Sequence, residues 1–290
     1  MLEQVPANPV ALEIELVAPP EPAALATARV LQFSKVTRQL WDASNFSWGQ
    51  CRAEVIQLGL DGAFKDAVEA GGDDMPALLR EVLDPEQPAL KQLQTLGLRE
   101  NRLESIPAAI CNLTALTRLR LQQNRLTRVP AVIGNLSYLS ELSLQQNLLT
   151  RLPESIGNLT ALTELYLQDN QLASIPESIG NLTGLTQLRL EQNRLASVPA
   201  SIGKLTALTG LALHENQLMS IPESIGNLTA LLQLMMHNNQ FTSVPDGLGG
   251  ITGLERVCVD DHVIDDRAHT PIFSALRKAG TKTISNPTGT

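Results

Sequence analysis

Leu116-Thr-Arg-Leu119-Arg-Leu121-Gln-Gln-Asn124-Arg-Leu126-Thr-Arg-Val129-Pro130-Ala-Val-Ile133-Gly134-Asn135-Leu136 is the stretch that decides the fold, because the chain writes it again and again with little change. Asn101, Asn124, Asn147, Asn170, Asn193, Asn216 and Asn239 follow one another at intervals of 23 residues, and Pro107, Pro130, Pro153, Pro176, Pro199, Pro222 and Pro245 keep the same interval. A fixed period of this size specifies a stacked array in which each unit buries its apolar side against its neighbours. In template form the unit reads LxxLxLxxNxLxx(I/V)PxxIGNL. Leu119-Arg-Leu121 alternates with period two, the pattern of a short strand with one buried face. A chain that turns sharply after a strand leaves backbone N–H and C=O groups inside the stack. The amide of each asparagine offers two donors and an acceptor to pair them, so the asparagines are expected to form a ladder along the array. The proline fixes φ and lacks a donor, which suits the start of an extended or 3₁₀ segment such as Pro153-Glu-Ser-Ile156. Gly134, Gly157, Gly180, Gly203 and Gly226 are read as permitting the turn back. Twenty-three residues are too few for a strand, two turns and a long helix, so the side opposite the strands should be slim.

This template resembles the leucine-rich-repeat family, in its variant of about 23 residues with a proline and an Ile-Gly-Asn segment. The resemblance spans residues 90–263, as seven full copies and a degenerate eighth. It implies an α/β right-handed solenoid, a horseshoe or arc with a concave parallel β-sheet and a convex side of 3₁₀ and extended segments. It also implies binding of other macromolecules, usually proteins, on the concave face. Pro-Glu-Ser-Ile-Gly-Asn-Leu-Thr occurs three times, from Pro153, Pro176 and Pro222, which points to recent duplication.

The composition narrows the function classes. A net charge of −8 over 290 residues repels phosphate backbones, so no nucleic-acid partner is expected. No run approaches the ~18 apolar residues that a membrane helix needs. Three cysteines, Cys51, Cys111 and Cys258, are too few and too scattered for a disulfide framework or a zinc knuckle. Met1 to Pro6 has no basic start and no apolar run, so no secretory leader is expected there and the reading is cytoplasmic, or delivery into a host cell if the protein is a bacterial effector. Asn112, Asn135, Asn158, Asn181 and Asn227 all open glycosylation sequons, as does Asn45, but the repeat consensus happens to spell the sequon.

The ends must cap the array. Residues 1–21 are rich in proline, glutamate and alanine and read as a disordered tail. Residues 22–89 read as a mainly helical N-terminal cap. Leu25, Val30, Leu31, Val36 and Leu40 lie near helical spacing, Trp41 and Trp48 follow as cap core, and a helix from Met75 to Leu83 leads into the first full copy. Within this cap Val55-Ile-Gln-Leu58-Gly-Leu60 resembles Leu93-Gln-Thr-Leu96-Gly-Leu98 and reads as a degenerate first strand. Residues 264–290 read as a capping helix, with Thr270 as N-cap, Pro271 at the first helical position and Gly280 at the end. Thr283-Ile284-Ser285 would form a final edge strand, and Asn286 to Thr290 read as a frayed tail.

Function should be written where the copies differ. Three rows of side chains flank the buried leucines of the strands. The first runs Thr95, Arg118, Glu141, Glu164, Gln187, Gly210, Gln233, Arg256; the second Gly97, Arg120, Ser143, Tyr166, Arg189, Ala212, Met235, Cys258; the third Arg99, Gln122, Gln145, Gln168, Glu191, His214, His237, Asp260. Tyrosine and arginine dominate binding hot spots, so the candidate partner-binding residues centre on Tyr166, Arg120, Arg189, Gln145 and Gln168 and extend to Gln122, Glu191, His214, Met235 and His237. His214, His237 and Asp260 lie in register, yet strand spacing alone sets the outer pair ~9.6 Å apart at the backbone and no neighbour is placed to orient the imidazoles. No metal and no cofactor are expected. Cys258-Val-Asp260 matches the Cys-x-Asp element of leucine-rich-repeat ubiquitin ligases of bacterial effectors, but Cys258 falls on a repeat strand and Asp260 and Asp261 would oppose a thiolate. The reading is a non-enzymatic module that binds a protein partner on the sheet. The alternatives are the substrate-recognition arm of a bacterial effector or ubiquitin-ligase-type protein, and a structural or adhesive repeat protein.

Overall fold

The computed structural model describes residues 13–16, 30–33, 57–59, 90–264 and 270–285. Twelve strands form one parallel sheet in sequence order. They are β1 (Glu13–Leu16), β2 (Val30–Phe33), β3 (Gln57–Gly59), β4 (Thr95–Gly97), β5 (Arg118–Arg120), β6 (Glu141–Ser143), β7 (Glu164–Tyr166), β8 (Gln187–Arg189), β9 (Gly210–Ala212), β10 (Gln233–Met235), β11 (Arg256–Val259) and β12 (Lys282–Ser285). Strands β4 to β11 belong to the eight copies. Each holds its leucine or valine opposite its neighbour's, as in Leu119↔Leu142↔Leu165↔Leu188.

Seven 3₁₀ segments, from Ala108–Asn112 to Asp246–Gly250, lie opposite the strands. Each begins one residue after its proline. Pro130 sits at φ −69° and ψ 147°, and its carbonyl accepts the N–H of Ile133 at 3.0 Å, so the residue that cannot donate supplies the acceptor that closes the turn. Between the two sides runs a continuous core. Leu116, Leu119, Leu121, Leu126, Ile133 and Leu136 of one copy are fully buried, as are their counterparts along the array.

The asparagine ladder is present. Asn147 Nδ2 donates to Leu121 O of the preceding coil and to Leu144 O of its own, each at 3.0 Å, while its Oδ1 accepts Leu126 N–H at 3.0 Å. The same three bonds recur at Asn124, Asn170, Asn193, Asn216 and Asn239. The residue before each asparagine, Gln146 for example, adopts a left-handed conformation near φ +57°. That twist turns the asparagine beneath the coil.

The glycines do something other than the sequence reading assigned to them. Among the described glycines only Gly280 has a positive φ, so Gly134, Gly157, Gly180, Gly203 and Gly226 are not there to permit a left-handed turn. They are there because adjacent 3₁₀ segments nearly touch: a Cβ on Gly180 would lie 2.6 Å from Ser201 O and 2.7 Å from Ser201 Cβ.

At the N-terminal end the structure departs from the expected tail and helical cap. β1 falls within residues 1–21 and β2 within the stretch read as helical, and both extend the sheet by parallel pairing, β1 to β2 and β2 to β3. Val-Leu-Gln-Phe at 30–33 satisfies strand alternation as well as helical spacing. The open edge of a parallel sheet, with its unpaired N–H and C=O groups, favours the strand. β3 is the degenerate first strand, and Leu58 pairs with Leu96 as expected. Trp41, Trp48 and the helix expected from Met75 lie outside the described residues. At the other end the array closes with α1 (Asp261–Ile264), α2 (Thr270–Lys278) and β12, which pairs with β11. Gly280, at φ +92°, terminates α2 in the left-handed conformation expected of a C-terminal glycine.

Candidate functional site

Strand register aligns the varying side chains. Arg120, Ser143, Tyr166, Arg189, Ala212 and Met235 occupy one row across β5 to β10. Because the central leucine of each strand points into the core, its two neighbours face away from it.

Among the described residues, depressions mark this face at two places. The larger, about 310 Å³, is lined by Arg120, Gln122, Gln145, Tyr166, Gln168 and Arg189, with Arg99, Glu141 and Ser143 completing it. The second, about 180 Å³, opens where the row of large side chains breaks at Gly210 and Ala212; Arg189, Glu191, His214 and Met235 are among its walls. Of the ten candidates, six surround the first depression and Arg189 is shared with the second. His237 lies beside His214, with ring centroids 4.6 Å apart and planes 15° from parallel.

Two carboxylates outside the candidate set organise this face. Glu141 receives Arg120 at 3.3 Å and Arg118 at 3.5 Å, and the Ser143 hydroxyl donates to it at 3.4 Å. Glu164 accepts the Tyr166 hydroxyl at 2.6 Å. Burial and this bond push the Tyr166 phenol up to about 12, so it stays a donor. The sequence signal for both glutamates is their place in the row before that of Arg120 and Tyr166: Glu164 stands two residues before Tyr166 on β7, and Glu141 stands on β6, beside the strand that carries Arg118 and Arg120. The exposed arginine pairs of Glu141 add little stability. What the two glutamates do is orient: they hold the tyrosine and the arginines upright while leaving both guanidiniums half-exposed.

Glu191 is 8 % exposed and therefore a wall of the face rather than a surface group. Burial raises its pKa, and a cation stands near it, Arg189 Nη1 at 3.7 Å from Oε1. Burial lowers the pKa of His214 and His237, so both rings are neutral near neutral pH. Gln122, Gln145, Gln168, Glu191, His214 and His237 occupy one row, and each buries a side-chain oxygen or Nδ1 that meets no protein hydrogen-bond partner.

Asp260 is drawn away from the histidines. Its Oδ1 accepts the Asn238 N–H at 2.8 Å and its Oδ2 the Asn239 N–H at 3.3 Å, in place of the backbone carbonyls that serve the equivalent residues of earlier coils. The carboxylate thus closes the last full coil where the chain leaves the repeat for α1. Cys258 is 8 % exposed, and burial raises its pKa; the conditions for a ready thiolate are reversed.

The family profile described as "Leucine rich repeat" matches residues 116–172 and 183–241, a two-copy profile of the same repeats matches 160–203, and a single-repeat profile matches 92–113. Among solved structures, a leucine-rich-repeat protein of Leptospira interrogans is similar over 95 % of this chain at 27 % identity, with a TM-score of 0.73. This chain spans 64 % of that protein's length. An internalin of Listeria monocytogenes shares the fold over 91 % of this chain and 76 % of its own, at 17 % identity and a TM-score of 0.62. No curated protein matches the chain by sequence.

Proposed function

The chain belongs to the leucine-rich-repeat family, and we propose that it is a non-catalytic module that docks a protein partner on the outward face of its sheet. The observation that carries this reading is the depression around Tyr166, flanked by Arg120 and Arg189 and floored by Gln145 and Gln168. These residues stand on the positions that vary between otherwise near-identical copies. A tyrosine between two arginines offers an apolar plate, a hydroxyl oxygen that can accept while its proton is held by Glu164, and two planar cations, the chemistry that concentrates binding energy at protein interfaces. Glutamines on either side add donors and acceptors that adapt to a polypeptide backbone. Arg118, Arg120 and Glu141 at one end, and Glu191, His214, Met235 and His237 at the other, extend the contact over more than one coil.

The test is affinity capture from a native lysate with the wild type and with Arg120→Glu, Tyr166→Ala and Arg189→Glu combined. The combined variant should keep the far-UV spectrum and lose the captured partner. Capture of the same partner in equal amount would refute docking on this face.

A further inference from the structure

The flank between the strands and the 3₁₀ segments carries a second signal, away from the sheet face. Residues 105–108, 128–131 and 151–154 border a groove of about 670 Å³ whose apolar floor includes Pro107, Pro130 and Pro153. Arg128 and Arg151 line it, one coil apart, and both are exposed. Their position is a serine in the other five copies, Ser105 and Ser174 among them. Next to Arg128, Arg125 is likewise exposed. The first residue of the 3₁₀ segment is alanine in the first two copies, Ala108 and Ala131, but glutamate or aspartate in four of the five later ones. Cations are gained on the second and third coils and carboxylates are lost on the first and second, so that Glu154 is the one acidic residue among those lining the groove. As a result residues 90–155 hold eight lysines and arginines against four acidic residues, and residues 156–264 hold four against ten.

Apolar departures fall on the same coils. Val132 takes a position that is serine in the next four copies and is 42 % exposed; Leu148 follows Arg125 in its row and is also 42 % exposed. Among the described residues no carboxylate forms an ion pair with Arg125, Arg128 or Arg151.

We propose that this flank binds a short, extended, acidic segment of a protein partner, whose carboxylates pair with Arg128 and Arg151 and whose apolar residues cover Val132 and Leu148. Arginine receives a carboxylate through two parallel N–H bonds, which fixes register as well as charge. Prolines along the floor present a surface with no N–H, so the segment is held by its side chains. A long polyanion is disfavoured, because it would run onto the acidic coils that follow. The surface lies apart from the Tyr166 depression, and its occupancy does not depend on that reading.

The experiment is fluorescence anisotropy at low ionic strength with a fluorescein-labelled peptide Glu-Asp-Leu-Glu-Val-Glu. The wild type should bind it. Arg128→Ser with Arg151→Ser, which installs the serine of the other copies and so preserves folding, should weaken binding about tenfold or more. Arg194→Gln with Lys204→Asn removes the same charge, also by installing residues of neighbouring copies, and should weaken binding much less. Absence of binding to the wild type, wild-type affinity in the first variant, equal loss in the second, or tighter binding of a single-stranded DNA oligonucleotide would each overturn the proposal.

Discussion

At the residue scale, the recurring asparagine is the most legible feature, because its function is stated by the chain that surrounds it. A sharp turn inside a stack needs a group with donors and an acceptor, and Asn147 uses both. Asn147→Ala strands two carbonyls and an N–H, so urea denaturation should show a loss of more than about 2 kcal/mol. The left-handed residue beside it was not legible, since glutamine, aspartate and glutamate all fill that position without a glycine to announce the twist. Gln146 adopts φ +57° at a cost that glycine avoids. Gln146→Gly should therefore stabilise by about 0.5–1 kcal/mol after the added backbone entropy of the unfolded chain is subtracted. The histidine pair is legible as a row but not as a stack. Burial lowers both pKa values from 6.5, so below about pH 6.5 the unfolded chain takes up protons that the folded chain refuses. Stability should fall as pH drops through that window. His214→Gln with His237→Gln, the residue that Gln122, Gln145 and Gln168 supply at this position, should flatten that decline in thermal melts recorded from pH 7 to 5.

At the element scale, one coil is a strand, a turn locked by asparagine, and a 3₁₀ segment entered through proline. The strand and the proline were plain from period and residue type. The glycine was misassigned because a single copy cannot reveal how near the next one comes; only stacking sets Gly180 against Ser201. Gly180→Ala must push neighbouring 3₁₀ segments apart or distort one of them, and differential scanning calorimetry should show a loss of about 1–3 kcal/mol. The added strands β1 and β2 were missed for a related reason. Val30, Leu31 and Phe33 fit both periods, and the choice between them is made by the sheet edge they join rather than by anything local. Glu141 and Glu164 escaped the candidate set because their importance lies in which neighbours they hold, a fact of registry across strands.

The whole molecule is built from two kinds of position. Those that recur form the core and the ladder; those that vary face outward, where recognition is proposed. An array predicts that removing residues 170–192, one full coil, leaves a folded protein with a lower melting temperature and an otherwise similar spectrum, since each coil contacts only its neighbours. A globular core of the same size would not survive that deletion. The proposed recognition is tested most directly by hydroxyl-radical footprinting of the protein alone and bound to its captured partner, read by mass spectrometry. Tyr166 and Met235 stand on the sheet face, whereas Tyr138 and Met219, 68 % and 61 % exposed, lie off the strands. Partner binding should suppress oxidation of Tyr166 and Met235 and leave Tyr138 and Met219 as reactive as before; protection of Tyr138 and Met219 with no change at Tyr166 and Met235 would contradict the account.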